Sequence, residues 1–537
     1  MTIAAPTATT PAPPPASAAR PTTNPWLGIL GVFLGAGIAT LNGRLLSVGL
    51  PDLRGALGFG FDEGSWLPTA LYMAMMFSGC FVVFLNSWWG PRRILLPCAA
   101  IFTAASALLP FAANYGVMLA LIAIGGIASG TFYSLTMTFV LFTLPRRLII
   151  YGVAAYAAEI VFVTNIASLI EGWYIEHLSW HWIFWTAAVV TPLMMLCIYF
   201  GMPRRPAKGE TLSWRGFTYL SFGLALIYGV LDQGERLDWL NSGVIVAMLA
   251  GGAFLLGAAI VRRMRMPNPL LDFQFLGNRN VIVLALSIFA FRFVMLATVM
   301  LIPAFLGTIQ GYRPLETGHA LAWVAVPMGV MVWIVALATI QTHSRVILAG
   351  GLTIAAASGW ALSHLDTSWA GNNFVIMELL FSCGFACSYI GLLGSIVLEG
   401  LELGAMTSAT IAATYSGFMH FIRLFGGEVG ASLMGYFISV REKYHSNLLG
   451  LHVQAGNWLT DEWIRMLTGG MLPGSSGFEE AHSRAIWLLS KQVRAQANTQ
   501  AISDGFILVG WMVVAYLLLM LCLRPAKFNY KDLRKMK

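Results

Sequence analysis

Three arginines and a few acids stand where this chain is otherwise apolar, and these are the residues able to do chemistry. Arg44 lies in ATLNGRLLSVGL, Arg292 in FAFRFVML and Arg423 in HFIRLFGG, with Glu159, Glu171, Glu378 and Glu428 in similar surroundings. A charge near the centre of a lipid core costs about 2.5–3.5 kcal/mol on insertion scales, so such a residue faces a cavity or a partner. A guanidinium fork matches carboxylate or phosphate oxygens two at a time. Arg44 and Arg292 therefore point to an anionic or acidic substrate. The alternative is that a nearby Glu neutralises each arginine and the pairs only lock helices together. Asn42 precedes Arg44 by two residues, about 200° around a helix, so the two cannot both aim squarely at one space.

Glu159, in AAYAAEIVF, lies near the middle of its apolar stretch. A carboxyl taken out of water can hold and release a proton near neutral pH, which makes Glu159 the first candidate for proton coupling. The alternative is a static salt bridge to Arg44 or Arg423. Thr164, Ser168 and Glu171 follow on one face of the same segment, and Glu171 is close enough to its end to be read as solvated. His420 and Arg423 share a face at i, i+3. His420 could relay protons, or could simply be hydrogen-bonded. Glu378 reads as a packing or cavity residue.

The elements that must position these groups are long apolar runs. Apolar residues make up 58% of the 537 and charged residues 10%, whereas soluble domains carry about 25% charge. A lipid core about 30 Å thick takes about 20 apolar residues per helical crossing. Fourteen stretches read as crossings: 26–49, 65–87, 94–113, 116–141, 148–173, 180–201, 215–232, 241–261, 281–306, 319–340, 346–364, 374–398, 406–439 and 504–523. The expected fold class is all-α integral membrane, arranged as six, two and six helices. That order reads as two repeated halves, 26–201 and 281–523, around a two-helix insertion at 202–280. The helix carrying Arg292 is then the repeat counterpart of the helix carrying Arg44.

Residues 1–25 hold seven prolines and one charge, Arg20, and are expected to be a disordered cytoplasmic tail rather than a signal peptide. Residues 524–537 form a basic cytoplasmic tail. Of the 32 Lys and Arg, 20 fall on one side if the amino terminus is inside, so the positive-inside rule places both termini in the cytoplasm. Topology thus explains the net charge of +8, and nucleic acid is not expected as a partner. The segment 441–503 is the one sizeable outer region. GNWLTDEWIRML and FEEAHSRAIWLLSKQVRAQANTQ read as helices around a turn at MLPGSSGF, serving either as a cap or as a partner-binding surface. The six cysteines lie within apolar stretches and read as packing residues. No metal site or cofactor is expected, and no Walker A pattern is present.

Several stretches resemble the major facilitator superfamily, in particular its 14-helix drug:proton antiporter branch. LNGRLLSVGLPDLRGALG is similar to the family's LDxTIVNVALPxIxxxLG, and NSWWGPRR to G-x-x-x-D-R-x-G-R-R. LIPAFLGTIQGYRPLETGHALAWVAVPMG, GFMHFIRLFGGEVGASL and VRAQANTQAISDGF also match family patterns, over roughly 26–525. There are departures. Asn42 replaces the first-helix Asp, the NSWWGPRR acid is gone, and Ile122 stands where helix 4 carries Arg. The G-P-x-x-G-G motif reads Ala167-Ser168-Leu169-Ile170-Glu171-Gly172.

The resemblance implies that the Arg44 and Arg292 helices face each other across a central cavity, as in organophosphate exchangers that grip an anion with an arginine on each. It implies a fold role for Arg423, and an inner-gate latch at Gly90, Arg92 and Arg93. The function expected is proton-coupled efflux of amphiphilic, anionic or aromatic-acid compounds from a bacterial inner membrane, by alternating access between the halves. Substrate-binding residues would be Asn42, Arg44 and Arg292, with Glu159, His420 and Arg423 in proton coupling. A periplasmic adaptor is the partner implied where the host has an outer membrane. An organic anion exchanger or importer on the same fold is the alternative. A membrane enzyme is disfavoured because His445, His452, Asp461, Glu462 and His482 have no catalytic spacing. A non-transporting receptor would show static Arg–Glu pairs through the cavity.

Overall fold

A computed structural model describes residues 24–112, 114–203, 214–265, 277–403, 409–523 and 529–535. Most of the first tail, half of the 524–537 tail and most of both basic connectors fall outside these. The described residues are helical, without strands. The first half comprises α1 (Pro25–Val48), α2 (Leu50–Leu57), α3 (Phe61–Trp89), α4 (Pro91–Leu108), α5 (Tyr115–Thr143), α6 (Ile149–His177) and α7 (Trp182–Gly201). α8 (Trp214–Gly234) and α9 (Gly243–Arg265) form a hairpin. There follow α10 (Arg279–Leu296), a π turn at Ala297–Leu301, α11 (Ile302–Thr308), α12 (Pro314–Gln341), α13 (Ser344–Leu362) and α14 (Gly371–Glu402). The chain ends with α15 (Ala409–Gly450), α16 (Trp458–Met471), α17 (Phe478–Met520) and the short α18 (Tyr530–Lys535).

Local chemistry sets the helix ends. Asn24, Asn114 and Asn278 cap α1, α5 and α10, each side chain accepting from a backbone N–H of the first turn, which satisfies a donor left open there. Gly90 joins α3 to α4 at φ +75°, a conformation that suits glycine.

Among the described residues, twelve helical stretches are long and apolar enough to cross a membrane. The multi-pass class follows directly. The two other sequence-expected crossings correspond to α8, with 21 residues, and α15, with 42. At 1.5 Å per residue α15 and α17 run to about 60 Å, twice a lipid core. The sequence reading ended these helices at 439 and began the last at 504, because apolarity stops there. The structure carries both helices on into the polar region. The run from Phe478 to Asp504 contains no Pro or Gly, and its Ala, Arg, Gln and Leu are helix formers. Arg441 Nε and His445 Nε2 of α15 bind Asp504 of α17 at 2.6 and 2.7 Å, tying the projecting helices together, and α16 packs along α17.

Within the first half, α1 packs on α5, α6 and α7, and α4 on α5 and α7. Within the second, α13 packs on α14, and α10 on α14, α15 and α17. The α8–α9 hairpin leans on α3 through α8, which also touches α15. The halves meet along two seams, α6 against α12 and α3 against α15, with α5–α15 and α6–α14 contacts between them.

Close approach at the α6–α12 seam rests on glycine. A Cβ on Gly172 would collide with the backbone of Leu315, and one on Gly318 with the backbone of Leu169. These contacts close the end of the bundle far from Pro25. At the near end the Tyr530 hydroxyl of α18 donates to Gly394 O at 2.9 Å.

Candidate functional site

The three arginines converge on the region between the halves, each half-buried. Arg423 of α15 crosses to α5, where its guanidinium carbon lies 4.2 Å from the ring centroid of Tyr133. Such stacking is worth about 0.5–2 kcal/mol, more when desolvated. The Tyr133 hydroxyl is 2.5 Å from Thr40 Oγ1 on α1. Arg292 lies against α15: a Cβ on Gly427 would sit 2.8 Å from its Nη2. Among the described residues its Nη1 reaches Met295 Sδ, at 3.8 Å. Neighbouring Phe291 stacks on Tyr389 of α14, centroids 4.5 Å apart and planes 14° off parallel. Beside Arg44, a Cβ on Gly43 would lie 2.7 Å from the Tyr72 hydroxyl of α3. Tyr72 is within electrostatic range of both Arg44 and Arg292, and Arg292 within range of Arg423.

No carboxylate comes within 4.0 Å of any of the three among the described residues. The Nε atom of each is buried with no hydrogen-bond partner among the described residues. The salt bridges from Glu159 to Arg44 or Arg423 that the sequence left open are not formed. A buried charge without a paired opposite charge is costly, and tyrosine rings and hydroxyls offset only part of it. The arrangement is a cationic, aromatic-walled cluster able to accept oxyanion groups.

No acid forms an ion pair with these arginines among the described residues, although Glu428 is within electrostatic range of Arg292. Glu159 of α6 lines an apolar groove of about 380 Å³ between α1, α6 and α7, walled by Leu30, Phe33, Leu41 and Val190 among others. Its Oε1 lies 2.5 Å from where a Cβ on Gly37 would be, and its Oε2 is buried without a partner among the described residues. Arg423 is within electrostatic range of Glu159 but forms no ion pair with it. Glu428 accepts from the Tyr228 hydroxyl at 2.6 Å and hydrogen-bonds Asp232, both on α8. Asp232 in turn accepts from Thr69 of α3. Glu378 is buried with both oxygens unpartnered among the described residues. Glu171 is fully buried rather than solvated, a correction to the sequence reading. It sits where α1 ends at Gly49 and α7 presents Ile183.

Asn42 is buried in α1, two residues before Arg44. The side chain of His420 lies outside the described residues. Gly90 supplies the α3–α4 turn. Arg92 Nη1 donates to Met202 O at 2.8 Å and its guanidinium covers Tyr199 at 4.9 Å. Arg92 therefore ties α4 to the end of α7 inside one half. Arg93 is exposed.

Sequence reasoning missed Tyr72, Tyr133, Tyr389, Tyr228 and Asp232. The tyrosines carry no one-dimensional signal among 16 of their kind. Asp232 was visible only as an acid near a helix end.

A family model described as Major Facilitator Superfamily matches residues 32–431. The multidrug export protein EmrB of Haemophilus influenzae is 22% identical over 441 residues, covering 82% of this chain and 85% of that protein. The fatty acid resistance protein FarB of Neisseria gonorrhoeae is 24% identical over 437 residues, covering 79% and 83%. Among solved structures, the proton:xylose symporter XylE bound to 6-bromo-6-deoxy-D-glucose aligns with TM-score 0.57 at 13% identity, covering 95% of this chain and 98% of that one. With the matched model spanning most of the chain and the same fold in a solved transporter, this protein belongs to the Major Facilitator Superfamily.

Proposed function

We propose that this protein is a secondary efflux transporter of amphiphilic organic anions, driven by protons and working by alternating access between its two halves. The observation that carries the reading is the trio Arg44, Arg292 and Arg423, gathered between the halves without a carboxylate within 4.0 Å of any of them among the described residues. A carboxylate substrate completes the charge balance, and the rings of Tyr133, Phe291 and Tyr389 receive its apolar or aromatic body. Asn42 adds a neutral hydrogen-bonding group on α1. The export role of EmrB and the fatty acid resistance of FarB support efflux of such compounds here, as does an architecture with no ATP motif. Glu159 is the proton carrier, and His420 is placed by sequence on the same helix as Arg423. Gly90 and Arg92 stiffen the cytoplasmic end of the first half, with Arg93 in the same turn.

The membrane is the bacterial inner membrane, with both termini cytoplasmic and the far end of the bundle periplasmic. The projecting ends of α15 and α17, with α16 alongside, then stand outside the membrane. They are the surface on which a periplasmic adaptor would seat.

A second reading, an organic anion importer, is favoured by one observation, the electrostatic reach from Arg423 to Glu159. An ionised Glu159 competes with an anion for Arg423, so a proton on Glu159 and an anion on Arg423 favour each other. That is the coupling of a symporter.

Growth protection in an efflux-deficient host separates the readings. Aromatic and fatty acids are compared with cationic dyes, using Arg292→Ala and Glu159→Gln as controls. Protection against acids that both substitutions abolish is expected. Protection against dyes alone, untouched by Arg292→Ala, would overturn the anion site. Greater sensitivity to acids on expression would establish import.

A further inference from the structure

We infer that the groove beside Glu159 is a lipid-facing binding site that takes a lipophilic carboxylic acid, in its uncharged form, directly from the bilayer. The choice of an acid rests on the anion reading above, and the site lies outside the arginine cluster.

The walls of the groove are helices of the first half. α1 contributes Leu30, Leu34, Gly37 and Leu41, α6 contributes Val163 with Glu159, and α7 contributes Val190. α7 packs on α1 and α4 of its own half. Its Val189 and Leu193 are exposed, as are Leu30 at the mouth and Phe162 next to Val163. Apolar side chains left bare in membrane-spanning stretches meet acyl chains, so the groove opens sideways into lipid. Its volume of about 380 Å³ is that of a small-molecule site.

α6 begins at Ile149, so Glu159 lies about 15 Å along it, far below any lipid headgroup. The polar part of an occupant must therefore belong to a molecule that dissolves in hydrocarbon. A formal charge is costly at that depth, which favours the uncharged acid over its anion. Glu159 Oε2 is buried with no hydrogen-bond partner among the described residues. A carboxylic acid group both donates and accepts, so it pairs with Glu159 whether or not Glu159 itself holds a proton.

The same carboxyl also faces the cationic centre. Arg423 of α15, Tyr389 of α14 and Tyr156 of α6 are within electrostatic range of it. Along α1 the groove positions run i, i+4, i+7 and i+11, and Arg44 continues that face at i+14. Thr40, beside Leu41, contacts the Tyr133 on which Arg423 stacks. Glu159 is thus a wall shared by the lipid-facing groove and the arginine cluster, and an acid held in the groove waits next to the anion site.

The test is photolabelling of the full-length protein in lipid nanodiscs at pH 6, with hexadecanoic acid carrying a mid-chain diazirine. The methyl ester and the primary amide of the same probe are the controls, and peptide mass spectrometry reads the labelled sites. In the wild type the acid should label 30–41 and 155–163 about fivefold more than the ester, the worth of one hydrogen bond. The amide, which donates but cannot ionise, should label like the acid. Val163→Trp fills the groove and should bring the acid down to the level of the ester, whereas Val163→Ala should keep the preference. Equal labelling by acid and ester in the wild type would mean a crevice for any acyl chain and would overturn the site. An amide that labels like the ester would overturn the uncharged form, and a preference surviving Val163→Trp would overturn the location. Equilibrium binding of 2-naphthalenesulfonate, which stays charged at this pH, reports the arginine cluster alone. Sulfonate binding without the acid preference sinks the groove site alone, whereas the preference without sulfonate binding sinks the arginine site alone.

Discussion

The guanidinium carbon of Arg423 lies 4.2 Å from the ring centroid of Tyr133, joining α15 of the second half to α5 of the first. The same tyrosine reaches Thr40 on α1 at 2.5 Å. One ring therefore links the cationic centre to two helices of the opposite half, and any rocking of the halves has to break or slide this contact. Tyr133→Phe keeps the ring and loses the hydroxyl, at a cost of about 1 kcal/mol. Tyr133→Leu loses both and should cost about 1–2 kcal/mol more. Thermal unfolding in detergent should rank wild type above Phe and Phe above Leu. Equal midpoints for Phe and Leu would show that the stacking contributes nothing.

Each central arginine should be needed for anion recognition. Arg44→Gln, Arg292→Gln and Arg423→Gln should each weaken binding of an aromatic acid by roughly tenfold to a hundredfold. That is the loss of a charged hydrogen bond of about 1.5–3 kcal/mol. Arg292→Lys should fall between, since it keeps charge but not the fork. Equilibrium binding of 2-naphthoate in nanodiscs reports this, and three variants with wild-type affinity would remove the site from this place.

The far-end seam should tolerate no side chain. Gly172→Val and Gly318→Val place atoms into the backbone of Leu315 and Leu169. Overpacking of this kind costs about 1–3 kcal/mol, and transport should drop with it. Gly307 has open space around its Cβ position, so Gly307→Ala serves as the neutral control. Matched behaviour of all three variants would mean the seam is looser than its geometry.

The turn at Gly90 and the bond from Arg92 can be dissected separately. Gly90→Ala forces an L side chain to φ +75°, at roughly 1–2 kcal/mol. Arg92→Ala frees Met202 O and uncovers Tyr199. Both should lower the unfolding midpoint while leaving binding of 2-naphthoate unchanged, because both contacts lie within one half. A binding defect in Arg92→Ala would instead connect this end to the central site.

Outside the spans, the turn before α14 should loosen in acid. Ser368 Oγ first and Thr367 Oγ1 next donate to the Asp366 carboxylate and hold it below its ordinary range. With the folded value depressed, this contribution is present above the unfolded value of 3.8. It fades as pH falls through the lower folded value. Exchange of the Trp369 amide, which bonds Asp366 O at 3.0 Å, should accelerate below that range after correction for intrinsic rates. Asp366→Asn should abolish the acid-dependent part.

The sequence by itself determined the solvent of this protein and its family. Apolar runs of about 20 residues are a one-dimensional property, because each must satisfy the bilayer wherever its neighbours lie. The same logic exposed Arg44, Arg292 and Arg423, since a charge in such a run stands out without any partner being known. Patterns such as LNGRLLSVGLPDLRGALG carried the superfamily, which the match over 32–431 bears out. Tertiary structure alone decided which groups meet. Arg423 and Tyr133 are 290 positions apart in the chain, and no local rule pairs them. That the arginines meet tyrosines and not Glu159 depends on how α1, α5, α10 and α15 pack. Glu171 looked solvated because it stands near a helix end, and the chain turning at Gly49 beside Ile183 of α7 buried it. The long α15 and α17 outran their apolar limits because propensity, once nothing breaks it, continues a helix past the membrane. Hydropathy ranks residues by their solvent, whereas the face a side chain presents and the partner it finds are fixed only when distant segments close on one another.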